Sequence, residues 1–163
     1  MLTGKNVKQL VREFLHEACG YLGINDSQID IIYMPMPVQM MMVMLHKDSD
    51  DIVIDNKLLA DVEEQNTYTK LRFEIYRVAR EIYQRRKHQA EGTQEDIKAD
   101  TNDAYAFAYA LIFLNGLSMI IPHQIVDECH PRILHILNNE FHENCLLHSV
   151  PDPQFKGEFC YRA

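Results

Sequence analysis

Glycine is scarce in this chain, six residues among 163, and the sequence contains no phosphate-binding glycine loop, dinucleotide fingerprint or GxSxG nucleophile elbow. Cysteine is equally sparse. Cys19, Cys129, Cys145 and Cys160 are widely spaced and form no CxxC pair, so neither a disulfide scaffold nor a standard zinc knuckle is expected, and the thiols read as reduced and mostly buried. No apolar run approaches the ~20 residues needed to cross a bilayer. The first residues, MLTGKNVKQLVREF, lack the continuous apolar core of a signal peptide, which makes a cytoplasmic location without membrane contact the expectation. Positive charge is also in deficit: 16 Lys and Arg against 24 Asp and Glu give a formal net charge of -8. With a pI near 5.4, a general nucleic-acid surface is not expected, because such binding rests on phosphate neutralisation.

What the chain does contain is ordinary for a globular protein: 47% hydrophobic and 25% charged residues, with a mean hydropathy of -0.27. A chain of this length reads as one domain, residues 1–163, able to bury about two-thirds of its unfolded surface. Within it a core over about 1–116 precedes a helical extension over about 117–163.

Val7, Leu10, Val11, Phe14, Leu15, Ala18 and Leu22 recur at helical spacing and predict a first helix over about Thr3 to Tyr21, stopped at Gly23. His16 and Cys19, three apart on it, read as a partly buried polar pair with no assigned role. Strand patterns follow at Ile29 to Tyr33, Val38 to His46 and Ile52 to Ile54, with Lys47 to Asp51 as a turn between antiparallel neighbours. The run Gln39-Met40-Met41-Met42-Val43-Met44 reads as a buried strand, although thioethers also suit an adaptable binding surface.

Leu71 to His88, LRFEIYRVAREIYQRRKH, is the stretch on which the rest depends. Leu71, Ile75, Val78 and Ile82 give it an apolar stripe directed at the sheet. Lys70 with Glu74, Arg77 with Glu81, and Glu81 with Arg85 can pair at i,i+4, each contributing ~0.3 kcal/mol. The closing Arg85-Arg86-Lys87-His88 reads as cations favourably placed at the helix C-terminal dipole. After Gly92, Thr93 with Asp96 predicts a capping box for a further helix to about Leu114, stopped by Asn115-Gly116. Pro122 predicts a short helix through Cys129, and Pro131 the first turn of another to about Leu147.

Within the central helix, Ala79-Arg80-Glu81-Ile82-Tyr83-Gln84 has the outline of an H-E-x-x-H zinc-peptidase motif with both histidines replaced. It follows the strand-like Asp51 to Asn56 and precedes a helix containing Asp103-Ala-Tyr-Ala-Phe-Ala-Tyr-Ala-Leu111. In this order residues 50 to 115 resemble the ImmA/IrrE-type zincin-like metallopeptidase domain. The resemblance implies an α+β fold with a zincin-like core, an N-terminal helix, a small three-stranded sheet, two packed motif helices and a helical C-terminal extension. Intact relatives are zinc-dependent peptidases, often directed at regulatory proteins and frequent in bacteria and mobile elements.

Carried over by position, Arg80 and Gln84 stand at the two His ligands, Glu81 at the general base and Asp103 at the acidic third ligand. A catalytic zinc needs three protein donors and an open position. A guanidinium repels a cation and an amide is a poor zinc ligand. No cofactor is therefore expected, Glu81 is read as vestigial, and Arg80 with Asp103 is expected to form a metal-free cross-link in place of the ion. The function this implies is a pseudo-metallopeptidase that binds a protein or peptide partner, in regulation. One alternative is a hydrolase using Glu81 with a non-standard metal site, zinc included. Another is a structural module that self-associates through the Met-rich strand or the C-terminal helices. His123, His130, His135, His142 and His148, with His142 and Cys145 at i,i+3, form no regular tetrahedral set and read as exposed or capping residues. Cys129-His130, adjacent in sequence, is not assigned as a nucleophile pair.

Overall fold

The computed structural model describes residues 6–36, 41–59 and 65–141. The fold is mixed α+β, with four helices and a small three-stranded sheet among the described residues. The chain forms two compact units, Met1–Gln94 and Glu95–Ala163.

The first unit opens with α1, Val7–Leu22. Asn6 caps it reciprocally: its side chain accepts from Gln9 N–H at 2.9 Å, and the Gln9 side chain accepts from Asn6 N–H at 3.3 Å. This satisfies two of the donors a helix start leaves open. Gly23 ends α1 at φ 69°, a left-handed conformation that a side chain would strain. The predicted apolar face is buried from Val7 through Ala18.

Three short strands follow: β1 (Ile31–Met34), β2 (Val43–Leu45) and β3 (Ile52–Asp55), in the spatial order β1-β3-β2. β1 and β3 are parallel, with Ile31 opposite Ile52, and β2 and β3 are antiparallel, with Leu45 opposite Ile52. The predicted turn between antiparallel neighbours is thus present. The methionine-rich run departs from expectation. Residues 39 and 40 lie outside the described residues, β2 begins only at Val43, and Met41 is exposed. Among the described residues β2 is a margin strand with one neighbour, and only Val43 is fully buried on it. In β3, which has a neighbour on each side, Ile52, Val53 and Ile54 are all buried.

α2, Gln65–Glu91, extends the predicted central helix at both ends. Leu71, Ile75, Val78 and Ile82 are fully buried, as their spacing requires, and so are Tyr76 and Ala79 on the flanking side. The helix packs against α1 and β2. It closes at Gly92, φ 67°. Thr93 was expected to open the next helix and instead seals this one: its N–H donates to His88 O at 3.0 Å and its hydroxyl lies 2.7 Å from His88 Nδ1.

The second unit holds α3 (Ile97–Leu114) and α4 (His123–His135), packed against each other. The N-cap of α3 is Asp96, whose side chain accepts from Ala99 N–H at 3.1 Å. Asn115 ends the helix as predicted, its side-chain amide donating to Leu111 O at 2.8 Å. Pro131 does not start a new helix; it lies inside α4, which continues through it into a π-helical turn, Ile136–Glu140. Proline lacks an N–H and removes one bond from such a helix. Cys129, Ile133 and Ile136 nevertheless bury a continuous apolar side, which carries α4 through the proline.

Candidate functional site

Arg80 and Gln84 are four residues apart on α2 and therefore share one side of it. Both are buried, at 3% and 8% exposure. The Arg80 guanidinium lies 4.8 Å from the centroid of the Tyr83 ring, within cation–π range. Among the described residues every buried side-chain nitrogen or oxygen has a hydrogen-bond partner, which meets the requirement that a buried charge be satisfied. The two positions where the motif would present neutral imidazoles thus carry a fixed positive charge and an amide.

Glu81 points to a different side. Arg77 Nη1 lies 2.6 Å from its carboxylate, with the Glu81 side chain 35% exposed. The same guanidinium reaches Glu74 at 2.6 Å and donates to the Val43 carbonyl of β2 at 3.3 Å. Of the i,i+4 pairs anticipated along this helix, Arg77 with Glu81 forms, while Glu74 is held by Arg77 at i,i+3. A carboxylate engaged by a guanidinium is a hydrogen-bond acceptor already in use.

Asp103 lies in α3 of the second unit. Arg132 of α4 donates from Nε to its carboxylate at 2.7 Å and approaches Glu140 of the π-helical turn at 3.6 Å. Arg132 is a partner that sequence reasoning missed. It lies 29 positions away, and nothing in the local pattern connects the two.

The basic run at the end of α2 has more specific partners than the helix dipole. Arg85 donates to the backbone carbonyls of Ser49 at 2.5 Å and His46 at 3.1 Å, and Arg86 pairs with Asp50 at 3.0 Å. These cations tie the helix to the turn between β2 and β3. At the other end of α2, Arg72 lies 3.1 Å from Glu17 of α1, donates to the Tyr76 hydroxyl, and stands 5.1 Å over the Phe14 ring. The Tyr76 hydroxyl also donates to Glu17. Burial, with Glu17 adding to it, pushes the Tyr76 phenol well above its ordinary range, so it stays protonated. The spacing Tyr68-Arg72-Tyr76 was the available sequence signal for this cluster.

Among the described residues no group of three His, Cys, Asp or Glu side chains is arranged to hold a metal ion. His16 and Cys19 diverge: His16 is exposed, with Nδ1 3.0 Å from Asp26, whereas Cys19 is fully buried. They are therefore not a partly buried pair: neighbours at i,i+3, they straddle the margin of the buried face of α1, with His16 on its solvent side and Cys19 within it. Burial pushes the Cys19 and Cys129 thiols up to about 12, which suppresses thiolate chemistry at neutral pH. His123 and His135 are exposed, and His130 is half-buried. His142, Cys145, His148 and Cys160 lie outside the described residues.

Comparison of the chain with protein-family models, curated proteins and solved structures finds no match.

Proposed function

We propose that this chain is a non-catalytic relative of the ImmA/IrrE-type metallopeptidases, with a zincin-like core that serves to bind a protein or peptide in regulation. The observation that carries this reading is the pair Arg80 and Gln84, both buried on one side of α2. A permanent cation at one ligand position opposes a divalent ion electrostatically, and the amide at the other contributes a weak donor. Glu81 adds support, since Arg77 holds one oxygen of the carboxylate that would have to activate water.

The experiment combines two measurements on the full chain. Elemental analysis of protein purified without chelator, alongside cleavage of a fluorogenic peptide library, is expected to give no stoichiometric metal and no hydrolysis. Stoichiometric zinc whose removal abolishes cleavage would overturn the non-catalytic half. Selection from a displayed random-peptide library tests the binding half: a shared enriched motif supports it, and no enrichment counts against it.

A further inference from the structure

Among the described residues β1 lies at the margin of the sheet, bonded to β3 alone. Ile52 N–H donates to Asp30 O at 2.9 Å. Strand alternation then turns the main-chain groups of Ile32 and Met34 toward β3 and those of Ile31 and Tyr33 outward. Among the described residues no backbone group bonds Ile31 or Tyr33 from that outer side. An edge of this kind is a template for another strand.

The two faces beside this edge differ in chemistry. Ile32 and Met34 project on one face and are 39% and 42% exposed. On the opposite face α1 runs past Tyr33, with Lys8 Nζ 5.3 Å from the Tyr33 ring centroid. Lys8 and Arg12 are both exposed and, four apart, share one side of α1. Arg12 gives a hydrogen bond to the Asp26 carbonyl at 3.3 Å, a neutral partner that leaves its charge intact. Among the described residues neither cation has an ion-pair partner. His16, next in the row, is occupied by the Asp26 carboxylate.

We infer that the free edge of β1 receives an extended peptide with alternating acidic and apolar side chains as a fourth strand. An added strand shares the faces of its neighbour. Its residues beside Ile31 and Tyr33 project toward Lys8 and Arg12, and those beside Ile32 and Met34 extend the apolar face. Main-chain hydrogen bonds supply attachment and the alternate side chains supply selectivity. The inference names a partner chemistry for the binding half of the proposed function and rests on that half alone.

Fluorescence polarisation with a labelled peptide of alternating Glu and Val tests it. Saturable binding is expected, weakening ~10-fold or more in the Lys8→Glu/Arg12→Glu variant and on raising salt to about 0.5 M. N-methylation of alternate peptide nitrogens is expected to abolish it. Circular dichroism checks that the variant folds, and replacing Glu by Gln in the peptide repeats the charge test on the unaltered protein. Unchanged affinity in the charge-reversed variant, equal binding of a scrambled peptide, or no saturation up to ~1 mM would each overturn the assignment. If library-selected peptides bind that variant undiminished, the edge assignment fails while the peptide-binding reading stands. Zinc-dependent cleavage with no enriched peptide removes the reading itself.

Discussion

In the first unit α2 reaches its neighbours through arginines: Arg72 to Glu17 of α1, Arg77 to the Val43 carbonyl of β2, and Arg85 with Arg86 to the turn between β2 and β3. In the second unit α3 relies on bulk. Every residue from Ala106 to Phe113 is buried and the Phe107 and Phe141 rings meet edge-on at 5.6 Å, while the ion pairs Asp103 with Arg132 and Lys98 with Glu128 join α3 to α4 nearer its start. A guanidinium seated on a carbonyl or carboxylate fixes the rotation and register of a helix. Buried hydrocarbon contributes more free energy per residue but accepts substitutions that keep volume. Both helices are held by packing, and α2 adds polar anchors that fix its position on its neighbours.

The largest expected effect is on the packed helix. Phe107→Ala should cost about 3–5 kcal/mol in urea unfolding followed by circular dichroism, because it empties a fully buried ring site. A loss below ~1 kcal/mol would show that α3 is not held by volume. Next, Arg72→Met should cost about 1–3 kcal/mol, since Glu17 and the Tyr76 hydroxyl lose a charged partner. A neutral result would remove the anchoring role from that arginine.

The buried thiols give a pH-dependent test that spans both units. Cys19 and Cys129 have thiol pKa values raised from 9.0 to about 12 in the folded chain. Between those values the folded state keeps a proton that the unfolded state releases. Each thiol therefore lowers stability as pH rises above 9.0, with a limiting slope of ~1.4 kcal/mol per pH unit. Stability curves over this range for Cys19→Ala and Cys129→Ala should be flatter than for the parent, and superimposable curves would contradict the burial argument. The smallest effect belongs to Arg86→Gln. Arg86 and Asp50 are 39% and 31% exposed, so the loss should stay below ~1 kcal/mol and shrink with added salt.

The sequence made legible whatever repeats within a helical turn or alternates along a strand. The α1 face, the stop at Gly23, the stripe of Leu71, Ile75, Val78 and Ile82, and the end of α3 at Asn115 all depend on neighbours four or fewer positions away. Thr93 does not cap α3 because Asp96 performs that task and holds Ala99 directly. Pro131 looked like a helix start because its missing donor costs nothing there, whereas α4 carries it internally. For the candidate site, the burial of Arg80 and Gln84 fits their place beside the apolar stripe. The partners Glu17 for Arg72 and Arg132 for Asp103 come from distant segments, and long-range ion pairs leave no periodic trace in one sequence.

The central place of β3 has a consequence for the order in which the first unit opens. Its amides are bonded to strands on both sides and covered by Ile52, Val53 and Ile54, whereas among the described residues β1 and β2 each have a single bonded neighbour. In deuterated solvent the N–H groups directed outward from β1 should exchange first and those of β3 last. The isotope pattern would then rank the three strands by the opening each requires, with the shortest-lived protection at the edge that faces Lys8 and Arg12.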